Sequence, residues 1–225
     1  SLSQCAPGQP VLDGASANLP APRKPRKLMR LYTRGWEQEA TPATRAAFDA
    51  YAASLTSAGV EVLNRGQEPR IAQIEAALDD AFADRSLEIT ACEMRWPYEQ
   101  YIARHGGLIE PRVHERIAYA RGITPQRYAG LLSEKTIKKQ LLMDLSADCD
   151  GFITLSSSGP APLGLQHTGS RTFLTHASYL GLPAFSLPLL AVEGMPLGVQ
   201  LVGKPYEDGQ LCAMAAWMMG LHAAG

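Results

Sequence analysis

Ser156-Ser157-Ser158-Gly159 is the part of this sequence that most looks able to attack a carbonyl. Its hydroxyls follow Gly151-Phe152-Ile153-Thr154-Leu155, a short apolar run that reads as a buried strand. A serine becomes a nucleophile only when a base takes its proton and N–H groups hold the oxyanion that forms. The nearest upstream amines, Lys138 and Lys139, fall in a stretch that reads as helix, and no lysine stands upstream of a Gly-Gly-Ser-Ser segment. The expected role of the run is a structural turn, and no residue of the chain is assigned to catalysis. The histidines His105, His114, His167, His176 and His222 show no H-E-x-x-H or comparable ligand spacing, so no metal site is expected. His114 and Glu115 are adjacent and would point apart on a helix. Cys5, Cys92, Cys149 and Cys212 are scattered without a C-x-x-C, which argues against a zinc ribbon and gives no disulfide framework.

The whole-chain properties narrow the classes. Hydrophobic residues make up 46% and charged residues 19%, a globular rather than a disordered composition. A net charge of −1 leaves no electrostatic footprint for nucleic acid or an anionic membrane. The basic residues Arg23, Lys24, Arg26, Lys27 and Arg30 are read as a solvated approach to a strand. No apolar run approaches the roughly 18 residues of a membrane span, and a cytoplasmic location is the expectation. The sequence lacks an initiator methionine, which fits a start partway into a longer protein or behind a removed tag.

The elements that must position any chemistry are legible. Residues 1–26 carry Pro7, Pro10, Pro20, Pro22 and Pro25 and are expected to be an extended lead-in. Residues 27–64 read as strand, helix, strand. Lys27–Thr33 is the first strand; Thr41-Pro42 caps a helix with Phe48, Tyr51 and Leu55 on its buried face; Gly59 ends it; Val60–Leu63 is the second strand. A crossover of this length predicts parallel pairing. Residues 69–147 read as a helical insertion that Pro97 interrupts or kinks. A helix opened by Thr124-Pro125 carries Tyr128, Leu131, Leu132, Leu141, Leu142 and Leu145 on its expected buried side. Residues 150–225 supply three further strands and a last helix from Asp208. Pro183 and Pro188 are read as bracketing the strand Ala184–Leu187, and Glu193-Gly194 as the turn after it.

Several motifs in the last third occur in a fixed order. They are Ala161-Pro162-Leu163-Gly164, Thr168-Gly169, Gly181-Leu182-Pro183-Ala184-Phe185-Ser186-Leu187-Pro188, and Gly194-Met195-Pro196-Leu197-Gly198-Val199-Gln200-Leu201-Val202-Gly203. This series resembles the amidase-signature family, most strongly over 150–220. The resemblance implies an α/β fold, a mixed β-sheet flanked by helices, with residues 1–225 forming the C-terminal part of a single amidase-signature domain. It implies hydrolysis of a carboxamide to a carboxylate and ammonia or an amine in the intact protein, with no metal and no organic cofactor. Family members are similar in using a lysine, a bridging serine and a nucleophilic serine in a Gly/Ser-rich run that this chain lacks. The chain alone is therefore expected to be inactive. Its expected partners are a missing N-terminal half of the same protein and a small-molecule amide, with no nucleic acid and no membrane; a homodimer is a further option. Ser156, Ser157, Thr168, Gly169 and Phe173 are the candidates for contact with substrate, because their loop joins strand ends where open sheets bind ligands. Two other readings stand beside this one. They are a non-catalytic assembly piece that completes a site with a separate N-terminal chain, and one component of a tRNA-dependent amidotransferase.

Overall fold

A computed structural model describes residues 20–81, 85–164, 166 and 169–223. Five strands form one mixed sheet in the order β2-β1-β3-β5-β4. They are β1 (Lys27–Arg30), β2 (Glu61–Leu63), β3 (Gly151–Leu155), β4 (Ala184–Val192) and β5 (Met195–Val202). β1 and β2 pair in parallel, joined through two helices, α1 (Arg34–Gln38) and α2 (Pro42–Ser57), where the sequence reads as one. Thr41 accepts the Thr44 backbone N–H in its cap, with Pro42 at the first helical position. Gly59 sits at φ +80°, a conformation that costs glycine little, and lets the chain turn back into β2.

β3 pairs parallel to β1 and antiparallel to β5, and β4 and β5 form a hairpin. Glu193 (φ 53°) and Gly194 (φ 75°) make its two-residue turn, with positive φ at both positions as the twist of a tight hairpin favours. β4 does not stop at Pro188. It runs on to Val192 through a register shift between Leu187 and Leu190. Proline is tolerated there because β4 is an edge strand, so its missing N–H costs no ladder bond.

Side chains alternate between two buried layers. Leu28, Ile153, Leu155, Val199 and Leu201 face one layer, with Phe48 and Leu55 of α2 and Leu211, Met214 and Met218 of α8 (Asp208–Ala223). Met29, Leu31, Phe152 and Val202 face the other. That layer is covered by α3 (Pro69–Ala81), α4 (Arg85–His105), α6 (Pro125–Ser146) and α7 (Thr175–Leu180). The helix α5 (Pro111–Arg121) packs on α4. Pro97 lies inside α4 without ending it. On α6, Leu131, Leu142 and Leu145 are buried but Leu141 is 43% exposed, against expectation. A step of about 100° per residue carries Leu141 off the stripe that Leu142 occupies.

Buried and half-buried charges pin the strand ends. Asp150 accepts the backbone N–H groups of Arg26 (2.7 Å) and Lys27 (3.0 Å), tying the entry of β3 to that of β1. At the exit of β1 the Arg30 guanidinium lies 4.4–4.6 Å from the ring centres of Tyr32, Trp36 and Phe48 and pairs with Asp49 at 2.5 Å. Trp36 is thus a core residue, whereas Trp96 is 75% exposed. No helix among the described residues is long and apolar enough to cross a membrane.

Candidate functional site

The serine run begins where β3 ends. Ser156 is buried, and its N–H donates to the Gly198 carbonyl (2.9 Å), which continues the β3–β5 ladder by one residue. The Ser186 hydroxyl on β4 reaches across β5 to the Ser156 hydroxyl at 2.7 Å. Gly198 makes that contact sterically feasible. A Cβ there would lie 2.5 Å from Ser186 Oγ, 2.7 Å from Ser156 Oγ and 2.9 Å from Ser156 Cβ. Gly198→Ala should therefore destabilise the protein by about 1–3 kcal/mol, the usual cost of overpacking a close contact. Urea unfolding measures it, and an unchanged midpoint would show that the two hydroxyls do not meet over this residue.

Two residues back along β3, Thr154, Gln200 and Ser186 are register partners across β3, β5 and β4 and so share a face. Thr154 Oγ1 and Gln200 Oε1 are buried and have no hydrogen-bond partner among the described residues. From the sequence, Gln200 stands out as an amide in an apolar strand that needs partners or water, whereas Thr154 and Ser186 are not singled out. The signal for them is period-two alternation, which puts Thr154 and Ser156 on one face and Gln200 and Gly198 beside them.

The loop after β3 folds back onto this end of the sheet. A Cβ on Gly169 would sit 3.5 Å from Ser157 Oγ, and one on Gly159 would sit 3.7 Å from Thr44 Oγ1 at the start of α2. Ser170 and Thr172 hydroxyls bond at 2.6 Å, and Thr172 donates to Glu39 Oε1 at 2.7 Å. Phe173 is fully buried within the α2/α8 layer, against Gly35, where a Cβ would come within 2.8 Å of its ring. The structure thus brings Ser156, Ser157 and Gly169 together and puts Phe173 inside the core. Thr168 and His167 lie outside the described residues. His176 on α7 is buried, and that burial lowers its pKa to about 3, so its ring is neutral at ordinary pH.

The lysines whose contacts are defined stand away from these hydroxyls. Lys27 pairs with Glu61 at 3.1 Å, and Lys24 Nζ covers Gly59. Lys135 lies 5.9 Å from the Tyr179 ring centre, and Lys139 Nζ approaches Gly181 at the end of α7. Lys204 helps line a polar cleft of about 610 Å³ at the opposite end of the sheet, with Arg26, Cys149 and Asp150. Burial pushes the Cys149 thiol up to about 12, so it is no nucleophile at neutral pH. Among the described residues no group of three or more His, Cys, Asp or Glu could hold a metal ion. The serine cluster can therefore donate and accept hydrogen bonds, and among the described residues no base is seen bonded to Ser156 or Ser186.

The same chain path occurs in solved structures. One amidase superposes with a TM-score of 0.66 and 24% identity, over 93% of this chain and 48% of its own. A bacterial aryl acylamidase of the amidase signature family superposes at 0.59 with 12% identity, over 91% of this chain and 44% of its own. This chain has the fold of about half an amidase-signature enzyme. The likeness extends to 6-aminohexanoate cyclic dimer hydrolase, with a TM-score of 0.67, 19% identity, and coverage of 96% of this chain and 48% of that one. No protein-family model matches the chain. Sequence similarity to curated proteins is local. The glutamyl-tRNA(Gln) amidotransferase A subunit of Symbiobacterium thermophilum is 51% identical over 35 residues, 16% of this chain and 7% of that protein. Its counterpart from Anaplasma phagocytophilum is 42% identical over 48 residues, 21% of this chain and 10% of that protein. The chain spans about half the length of the amidase-signature structures, and its matched stretch only a tenth or less of these curated relatives.

Proposed function

We propose that this chain is the C-terminal part of an amidase-type hydrolase, which supplies scaffold and one wall of a cleft while the bond-breaking groups lie on polypeptide outside it. The supporting observation is chemical. Ser156 and Ser186 bond to each other, and among the described residues neither is hydrogen-bonded to an amine, an imidazole or a carboxylate. A hydroxyl in that setting keeps its proton. The half-length match to amidase-signature folds agrees with it. In the intact protein the loop with Ser156, Ser157 and Gly169 would face a small-molecule amide, in the cytoplasm and without a metal or organic cofactor.

Treatment of the 225-residue chain with a serine-directed phosphonofluoridate, followed by intact-mass measurement, tests this reading. No adduct is expected on Ser156, Ser157 or Ser186. Stoichiometric labelling of any one of them would overturn it.

A second reading has one observation in its favour. The curated relatives with local identity are amidotransferase A subunits, so a role as part of a tRNA-dependent amidotransferase competes with a free-standing amidase. The near-zero net charge supports the amidase, because handling tRNA calls for a basic surface.

A further inference from the structure

The two edges of the sheet are built differently. β2 ends one side with three residues, and its Glu61 is paired with Lys27. Shortness and charge are the ordinary guards against unwanted strand pairing. β4 ends the other side with nine residues, Ala-Phe-Ser-Leu-Pro-Leu-Leu-Ala-Val, none of them charged. Ala184, Phe185 and Ser186 are exposed, Phe185 to 37%. Among the described residues no strand pairs along that edge.

The ladder fixes which backbone groups are on offer. The Gly203 N–H donates to the Pro183 carbonyl at 2.9 Å, and Phe185 and Leu187 stand opposite Leu201 and Val199. Hydrogen-bonded pairs alternate along an antiparallel ladder, so Pro183, Phe185 and Leu187 turn their peptide groups toward β5. Ala184 and Ser186 turn theirs outward. Pro188 follows in the outward series and closes it, which leaves a short docking edge of two N–H and two C=O groups. That edge lies beside the Ser156–Ser186 hydroxyl pair.

We infer that the outer edge of Ala184–Ser186 is where an extended strand from the other half of an amidase-signature fold pairs with this chain. The inference rests on the function proposed above. The occupant is chosen because the amidase-signature structures carry about as much chain again beyond what this one matches, 48% of their length being covered, while 93–96% of this chain is used in the match. A fold shared to that extent must meet its remainder along some surface of this chain, and Ala184–Ser186, ahead of Pro188 and the register shift, is the stretch of edge that carries no charge, proline or bulge. The strand that fits presents a large apolar side chain beside Phe185 and a small or polar one beside Ser186.

The test co-expresses the 225-residue chain with the portion of the 24%-identical amidase that it does not match, and measures the dissociation constant of the purified pair. Ala184→Pro removes one outward N–H and leaves the β4–β5 ladder and the serine pair in place. Phe185→Lys keeps every backbone donor and puts a charge on the edge, and it serves if the proline variant does not fold. Either variant, with an unchanged circular dichroism spectrum, should bind about tenfold more weakly: Ala184→Pro by losing one hydrogen bond and stranding its acceptor, Phe185→Lys by placing a charge where an apolar neighbour would pack. The amides of Ala184 and Ser186 should also gain protection from hydrogen exchange in the wild-type complex. A complex that forms equally well with both variants would refute the edge and leave the functional reading standing. No complex with the wild-type chain would sink both. A dimer of the chain alone that Ala184→Pro splits into monomers would make a second copy the occupant and overturn the inference.

Discussion

Phe173→Ala is expected to lower the stability of the chain by about 3–5 kcal/mol, the range for truncating a large ring in a packed core. Phe173 is fully buried, and its neighbours include Gly35, whose missing side chain is what makes room for the ring. Truncation leaves a cavity lined by residues of α1, α2 and the sheet, which cannot all move inward together. It should also loosen residues 169–174, because the ring anchors the segment whose Thr172 bonds to Glu39. Urea unfolding gives the first effect and hydrogen exchange of the Ser170–Leu174 amides the second. A loss of less than about 1 kcal/mol, as for an ordinary surface change, would mean that the ring is not part of the core.

Glu75 should make the stability of the protein fall as pH rises from about 4.5 to 7. It is a buried carboxyl on α3 that accepts the Tyr32 backbone N–H and lies 3.4 Å from Arg65. Burial raises its pKa to about 7, against the opposing pull of the Tyr32 N–H and Arg65. The native state therefore holds a proton that the unfolded chain has released over this interval. Stability rises with pH only where the unfolded state binds more protons, so here it falls. The penalty is absent below the unfolded value near 4.5 and complete above 7, and amounts to roughly 3 kcal/mol at 1.36 kcal/mol per unit. Glu75→Gln keeps an oxygen for Tyr32 and removes the titration, so its urea midpoint should change less between pH 5 and pH 8 than that of wild type. Parallel profiles for the two proteins would show that Glu75 does not carry the effect.

The parts of the fold that the sequence displays are those governed by local stereochemistry. Thr41-Pro42 and Thr124-Pro125 start helices, Gly59 and Gly181 end them in the left-handed region, and Glu193-Gly194 turns a hairpin. Each depends on the backbone of a few adjacent residues. The misreadings come from tertiary context. Pro188 looks like a strand end, but an edge position leaves its missing N–H without cost. Leu141 looks like core because α6 is leucine-rich, yet its side chain stays 43% exposed. The serine cluster is legible only in part. Ser156 and Ser157 stand out as a run, while Ser186, 30 residues away, joins Ser156 through strand register and the bare Gly198. That register depends on the β4–β5 hairpin and its bulge, which no local pattern fixes.

The most direct measurement is the rate of ammonia or amine release when the purified 225-residue chain meets a panel of aryl and aliphatic amides. The account predicts no turnover above the buffer rate. Among the described residues the Ser156 hydroxyl is bonded only to Ser186, and a serine hydroxyl without a base loses the orders of magnitude that a complete nucleophile–base pair provides. Turnover that a serine-directed inhibitor stops, and that disappears in Ser156→Ala or Ser157→Ala with the fold intact, would contradict it.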